Sequence, residues 1–257
     1  MNFSIIIPAR YASTRFPGKP LVSLNGKTML QRVYEQCIQV GAINVFIATD
    51  DQRIYDHASE YCKNVLMTRN DHVSGTDRLQ ECVTQIGLDD DHILVNVQGD
   101  EPFIAVENIV QVAELLEQQP DCGMATLYEN IEKLEDFLNP NVVKVVSSDN
   151  RAHYFSRACI PFDRDAFLQG VNSLPSMGAK RHIGIYAYRK QALDQFVKFA
   201  QSNHEKTESL EQLRFLDNQI GIAIDLAKKE SMPGIDTPED VQWALKYIND
   251  QPSKQES

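Results

Sequence analysis

The stretch FSIIIPARYASTRFPGKP, residues 3–20, decides how the chain must be read. Phe3–Ile7 is a short apolar run rich in isoleucine, the signature of a strand buried on both faces. It runs into a long, basic, small-residue connection at Pro8–Pro20 instead of a tight turn. Similar runs recur at Asn44–Ala48, Asn64–Met67, His92–Val97 and Gly123–Leu127, and each predicts a strand. Between them Thr28–Val40, Gln52–Tyr61, Gly75–Ile86 and Val106–Glu117 carry the helical period. Alternation of this kind predicts an α/β fold, Rossmann-like, with a mostly parallel sheet, right-handed crossovers and helices on both faces. Ligands of such sheets bind at the carboxyl ends of the strands. Attention therefore falls on the residues just after Ile7, Ala48, Met67 and Val97.

The second half is less regular. Val142–Val146 and Ala152–Ser156 read as neighbouring strands joined by the turn residues Ser148, Asp149 and Asn150, and Ile183–Arg189 as another. Helices are expected over Gln191–Ala200, Glu208–Asn218 and Thr237–Ile248, a flexible loop over residues 163–181, and a frayed tail over 250–257. No repeat or linker divides the chain. Residues 1–249 read as one domain, with residues 1–130 its regular half, where a ligand of the strand ends would sit.

Composition narrows the function. With 257 residues the chain can bury a core without disulfide or metal staples. Lys and Arg number 25 against 36 Asp and Glu, a net charge of −11, which argues against a nucleic-acid partner. Five scattered cysteines without CxxC spacing point to reduced thiols in a cytoplasmic protein. No apolar run approaches the roughly 18–20 residues of a membrane span, and Met1–Ile7 is too short for a signal-peptide core. The basic charge is nevertheless concentrated. Residues 1–34 hold Arg10, Arg15, Lys19, Lys27 and Arg32 and no acid.

Cations and backbone amides converging at the end of a buried strand make a phosphate site. A Walker A loop ending at Gly26-Lys27-Thr28 fails, because Leu21 stands where its first glycine belongs. Gln98-Gly99-Asp100-Glu101 closes the most central strand, where a carboxylate can hold Mg²⁺ together with phosphate oxygens. Asp236 lies before a helix and reads equally as a cap with Glu239. Ser74 reads as an N-cap of the helix opening at Gly75. Asp89-Asp90-Asp91 precedes its strand and reads as an exposed turn.

Nine blocks, in order, carry a family resemblance: PARYASTRFPGKP at 8–20, ATDD at 48–51, SGTDRL at 74–79, VNVQGDEP at 95–102 and NPNVVKVV at 139–146, then YFSRACIPFDRD at 154–165, RHIGIYAYR at 181–189, LEQLR at 210–214 and PGIDTPED at 233–240. The sequence resembles the sugar nucleotidyltransferases, and among them the 3-deoxy-manno-octulosonate (Kdo) cytidylyltransferases. The resemblance implies a nucleotide-diphospho-sugar transferase fold in which residues 131–235 form a smaller α+β elaboration for sugar and dimer. It implies transfer of CMP from CTP to Kdo for lipopolysaccharide synthesis, with Mg²⁺ on Asp100 and Asp236. Pro8, Arg10, Arg15, Lys19, Asp50, Ser74, Gly75, Arg78 and Gln98 would meet the nucleotide, with Arg10 and Lys19 also catalytic. Gln98, Arg157, His182, Tyr186, Glu211 and Gln212 would line the sugar pocket, Arg157 pairing with the sugar carboxylate. A homodimer is implied as well. Residues alone leave open a cytidylyltransferase for the 8-amino sugar or another acidic sugar, or a regulatory subunit that binds nucleotide without turnover.

Overall fold

The computed structural model describes residues 2–12, 16–72, 75–168 and 173–250. Its eleven strands are β1 (Phe3–Ala9), β2 (Ser23–Leu24), β3 (Lys27–Thr28), β4 (Asn44–Thr49), β5 (Val65–Met67), β6 (Ile93–Asn96), β7 (Cys122–Asn130), β8 (Lys144–Ser148), β9 (Arg151–Ser156), β10 (Lys180–Arg189) and β11 (Gly221–Leu226). Nine of them form one sheet in the order β5-β4-β1-β6-β10-β7-β11-β9-β8, and β2 pairs with β3 in a separate ribbon. β1 pairs in parallel with β4 and β6, β4 with β5, and β7 with β11. β10 runs antiparallel to β6, β7 and β8, and β9 antiparallel to β8 and β11. Following these directions along the sheet, only β10 and β9 oppose the rest, so the sheet is mixed but mostly parallel.

The apolar run that opens the chain explains the layering. Ile5 and Ile7 of β1 point into one core layer with Val95, Val112 and Leu116, whereas Ile6 points into the other with Leu94, Met124, Phe215 and Ile224. A strand covered on both faces needs apolar residues at every position, which is what the sequence supplies. Helices α1 (Met29–Cys37), α2 (Gln52–Ser59), α3 (Gly75–Ile86) and α4 (Val106–Gln118) follow the early strands. Thr28 caps α1 by accepting from the Gln31 amide at 3.3 Å, and Asp51 caps α2 by accepting from the Arg53 amide at 3.0 Å.

The later helices are α5 (Leu134–Leu138), α6 (Arg164–Leu168), α7 (Lys190–Phe196), α8 (Asn203–Glu208), α9 (Gln212–Asp217) and α10 (Pro238–Asp250). Two expectations are corrected here. The stretch 163–181 is not simply a loop: it holds α6, and β10 already begins at Lys180, while residues 169–172 lie outside the described residues. The helix expected over Glu208–Asn218 is shorter, α9 at Gln212–Asp217, and an unexpected helix, α8, precedes it and ends at Ser209, whose φ of 53° is left-handed. The break accompanies one side-chain contact between the two helices. Ser202 and Glu205 form a capping box that starts α8, and the buried Glu205 carboxylate then pairs with Arg214 of α9 at 2.7 and 2.5 Å. One straight helix could not fold Arg214 back onto Glu205, nine residues earlier. The expected tail falls in residues 251–257, outside the described residues.

Candidate active site

The carboxyl ends of β1, β4 and β6 lie side by side, and the candidate residues follow from them. Gly99, just past β6, passes so close to β1 that an added Cβ would stand 2.7 Å from the Pro8 carbonyl oxygen. Glycine is required there because two chain segments touch. That contact sets Asp100 beside the first connection. Gly18 has a left-handed φ of 72°, its amide donates to the Tyr11 carbonyl at 2.8 Å, and it carries Lys19 back over the strand ends. The guanidinium of Arg53 lies 3.3 Å from the centre of the Tyr11 ring while Asp51 holds its other edge at 2.9 and 2.6 Å. This stack ties the connection to the start of α2.

Lys19 is the focus. Its ammonium donates to Asp100 Oδ2 at 2.5 Å, to Asp236 Oδ1 at 2.9 Å and to the Ile235 carbonyl at 3.4 Å. Burial alone would lower its pKa, but the pull of Asp100 and then Asp236 outweighs this and raises it. The helix cap falls to the neighbours of Asp236. Thr237 and Asp240 bond each other reciprocally, and Asp240 also accepts the amides of residues 236 and 237 at 2.9 and 2.8 Å. Residues 81 and 217 positions apart in sequence from their partner thus meet at one cation. Beside them, burial and then the Asp100 charge push the Glu101 carboxyl up to about 8.

These residues fit a divalent ion. Mg²⁺ typically takes one or two carboxylates and fills its shell with water and phosphate oxygens. In this structure a lysine cation stands between the same two carboxylates. Arg10 is half-buried near Arg78, Asp50, Glu211 and Asp77, and burial, followed by the like charge of Arg78, lowers its pKa. Arg78 is wholly enclosed, bonded to Asp50 at 2.5 Å and to the Thr68 hydroxyl. Asp50 therefore engages Arg78, which leaves Arg78 with a single unpartnered atom, Nε. Arg15 and Ser74 lie outside the described residues.

Next to this charge cluster opens a cavity of about 560 Å³, within the usual range of small-molecule sites. Gly75, Gln98, His182, Tyr186, Glu211 and Gln212 all line it. Glu211 sits where the α8–α9 break delivers it, against the amino end of α3. It accepts from the Thr76 hydroxyl at 2.8 Å and from the amides of Gly75 and Thr76 at 3.4 Å. Burial pushes the His182 imidazole down to about 3 and the Tyr186 phenol well above its ordinary value, so both are neutral. His182 Nε2 lies 3.0 Å from the Thr126 hydroxyl.

Arg157 is placed differently from the other expected sugar contacts. Its Nε donates to the Glu208 carbonyl at 2.7 Å and its Nη1 to the Pro140 carbonyl at 3.0 Å. Its side chain is engaged with backbone, and the residues that line the cavity do not include it. Lys144 joins the same knot. It is fully buried, and its ammonium donates to the carbonyls of Asn139, Val142 and Arg157 at 2.9, 2.7 and 2.7 Å. The Val143 carbonyl in turn accepts from the His182 amide at 2.8 Å. Asn141, Val142 and Val143 line the cavity, so this knot shapes its wall. Neither Lys144 nor the cavity residues Asn96 and Ser231 stand out in the sequence. A lysine amid valines was the one available sign, since an unpaired lysine rarely sits in an apolar run.

Comparison with known proteins places the chain in a family. A family model described as cytidylyltransferase matches residues 4–229. The chain is 50% identical over 249 residues to a 3-deoxy-manno-octulosonate cytidylyltransferase of Pseudoalteromonas translucida, covering 96% of this chain and 98% of that protein. It is 52% identical over 244 residues to the enzyme of the same name from Alcanivorax borkumensis, covering 94% and 96%. A solved structure of CMP:2-keto-3-deoxy-manno-octonic acid synthetase complexed with CTP superposes with a TM-score of 0.86 at 38% identity, covering 96% of this chain and 98% of that one. A 4-diphosphocytidyl-2C-methyl-D-erythritol synthase from Anaerococcus prevotii shares the fold alone, with a TM-score of 0.60 at 13% identity.

Proposed function

This chain belongs to the cytidylyltransferase family, and from that premise we propose that it transfers CMP from CTP to 3-deoxy-manno-octulosonate, giving CMP-Kdo and pyrophosphate for lipopolysaccharide synthesis. The observation that carries this reading is the meeting of Lys19, Asp100 and Asp236 at the strand ends beside a large polar cavity. The charge cluster suits a triphosphate and the cavity suits a sugar acid.

Little covalent work falls to the protein in such a transfer. Its task is to align the attacking sugar hydroxyl with the α-phosphorus and to neutralise charge on the departing pyrophosphate. Arg10 and Lys19 supply fixed positive charge for the triphosphate. Asp100 and Asp236 would hold Mg²⁺, which when bound acidifies a hydroxyl and withdraws charge from phosphate. His182 and Tyr186 enter the sugar pocket uncharged and act as hydrogen-bonding and packing groups. Gln98 lies just past β6, lines the cavity and stands two residues before Asp100.

Two further parts of the reading concern assembly and place. Leu138 and Phe162 are exposed and line a second, apolar pocket of about 250 Å³, and Leu168 and Met177 are exposed large apolar residues as well. Exposed apolar side chains of that kind support a homodimer built through this part of the second half. No helix among the described residues is long and apolar enough to cross a membrane. CTP is a cytoplasmic nucleotide, which supports the same compartment for this chain.

The test is pyrophosphate release with CTP against Kdo, 8-amino-Kdo and sialic acid, with and without Mg²⁺. The expected result is Mg²⁺-dependent turnover with Kdo foremost, lost in Asp100→Asn. Turnover led by another acceptor would replace the sugar assigned here, and no turnover with any would overturn the reading.

A further inference from the structure

Three buried polar atoms on the cavity side of the molecule have no hydrogen-bond partner among the described residues: Asn96 Oδ1, Gln212 Nε2 and Ser231 Oγ. All three residues line the same cavity. Asn96 and Gln212 are each only 5% exposed. The cause of their exposure to the cavity is topological. Asn96 is the last residue of β6, paired with Ile6 on one side and Tyr186 on the other, and it lines the cavity. Ser231 is held at the opposite part of the chain by its amide, which donates to Glu129, the carboxylate that also pairs with Arg181 at 2.8 Å. Its hydroxyl is left over.

A buried polar group without a partner destabilises a fold, so such groups persist where a ligand completes them. Their chemistry constrains that ligand. An amide oxygen only accepts and an amide nitrogen only donates, whereas a hydroxyl does either. A phosphate or carboxylate, which only accepts, can serve Gln212 but never Asn96. A ligand carrying several hydroxyls serves all three.

We propose that Asn96 and Ser231, together with Gln212, read the hydroxyl groups of the acceptor sugar, making Asn96 and Ser231 specificity residues of this enzyme. The inference rests on the acceptor pocket assigned above. It sharpens that assignment, because it requires a polyhydroxylated acceptor and not merely an acidic one. Deleting either group should weaken the acceptor without touching the nucleotide. It should also leave the free protein as stable as before, or more so, since an unpartnered group is being removed.

The experiment uses the full chain carrying Ser231→Ala or Asn96→Leu. Three quantities are read: the melting temperature without ligands, the KM values for Kdo and CTP, and Kdo binding by calorimetry. The expected outcome is an unchanged or raised melting temperature, a KM for Kdo raised tenfold or more, and a KM for CTP within twofold of wild type. A KM for Kdo within twofold of wild type overturns the inference, since ordinary water would then be satisfying these atoms. So does a lowered melting temperature with both KM values raised together, which marks a purely structural role. Should Asn96→Leu fail to fold, Ser231→Ala decides alone. Wild-type protein that binds Kdo but does not turn it over would sink the functional reading and leave calorimetry of the variants to judge this inference.

Discussion

At the scale of single residues, the telling feature is a cation held between two carboxylates. Lys19 and Asp100 were both legible in the sequence, the first from its basic loop and the second from its place at a strand end. Asp236 was ambiguous, because a carboxylate before a helix reads as a cap. The structure resolves this physically: Thr237 and Asp240 do the capping, and Asp236 turns to Lys19. Since Lys19 already bridges the two carboxylates and offsets one of their charges, metal removal should not unfold the protein. We expect a chelator to stop turnover while leaving the melting temperature where it was. Lys19→Met should reverse the pattern, losing on the order of 1 kcal/mol in metal-free buffer and recovering it with added Mg²⁺. Thermal melts with and without chelator check both. His182 offers a second residue-scale test. Its folded pKa, about 3, lies below the ordinary 6.5. The unfolded chain therefore takes up a proton near pH 6.5 that the folded ring refuses. The stability this contributes is complete above pH 6.5 and is lost as pH falls from there toward 3. The His182 ring signals in NMR should show no titration between pH 5 and 8, and urea melts of His182→Gln should lose that part of the acid slope.

At the scale of elements, the first four strand–helix units were plain in the sequence because buried strands and amphipathic helices alternate cleanly there. What escaped was β11, whose short Ile-Ala-Ile core offers too few residues to separate a strand from a turn. The α8–α9 break escaped for a different reason. Helical period continues across Ser209, and only the Glu205–Arg214 pair, a contact within the fold, forces the bend. Long-range pairing is invisible to local pattern. The Lys144 knot is another such case, since three carbonyls from two segments converge on one ammonium. Lys144→Met keeps the length and removes every donor. It should cost about 2–4 kcal/mol, because the stranded carbonyls stay buried. Urea denaturation reads the loss. The same variant should raise the KM for Kdo more than that for CTP, as the knot shapes the wall carrying Asn141–Val143. Equal changes in both would show that the knot serves the fold alone.

At the scale of the whole molecule, the notable feature is the order of strands. β10 lies between β6 and β7, so β6, in the nucleotide-binding half, has as its neighbour a strand some ninety positions further along the chain. A fragment of residues 1–130 would keep its motifs yet leave the edge of β6 bare. Such an edge recruits other chains. We therefore expect that fragment to aggregate or remain unfolded, with circular dichroism and sedimentation as the checks, whereas residues 1–250 should fold. The consequence reaches to synthesis. During translation the parallel strands emerge first and must wait, unsealed, until residues 180–189 leave the ribosome. Non-local pairing of this kind slows folding. The enzyme is thus most vulnerable in the seconds before it is finished, and chaperone dependence in the cell should fall on this interval and not on the completed protein.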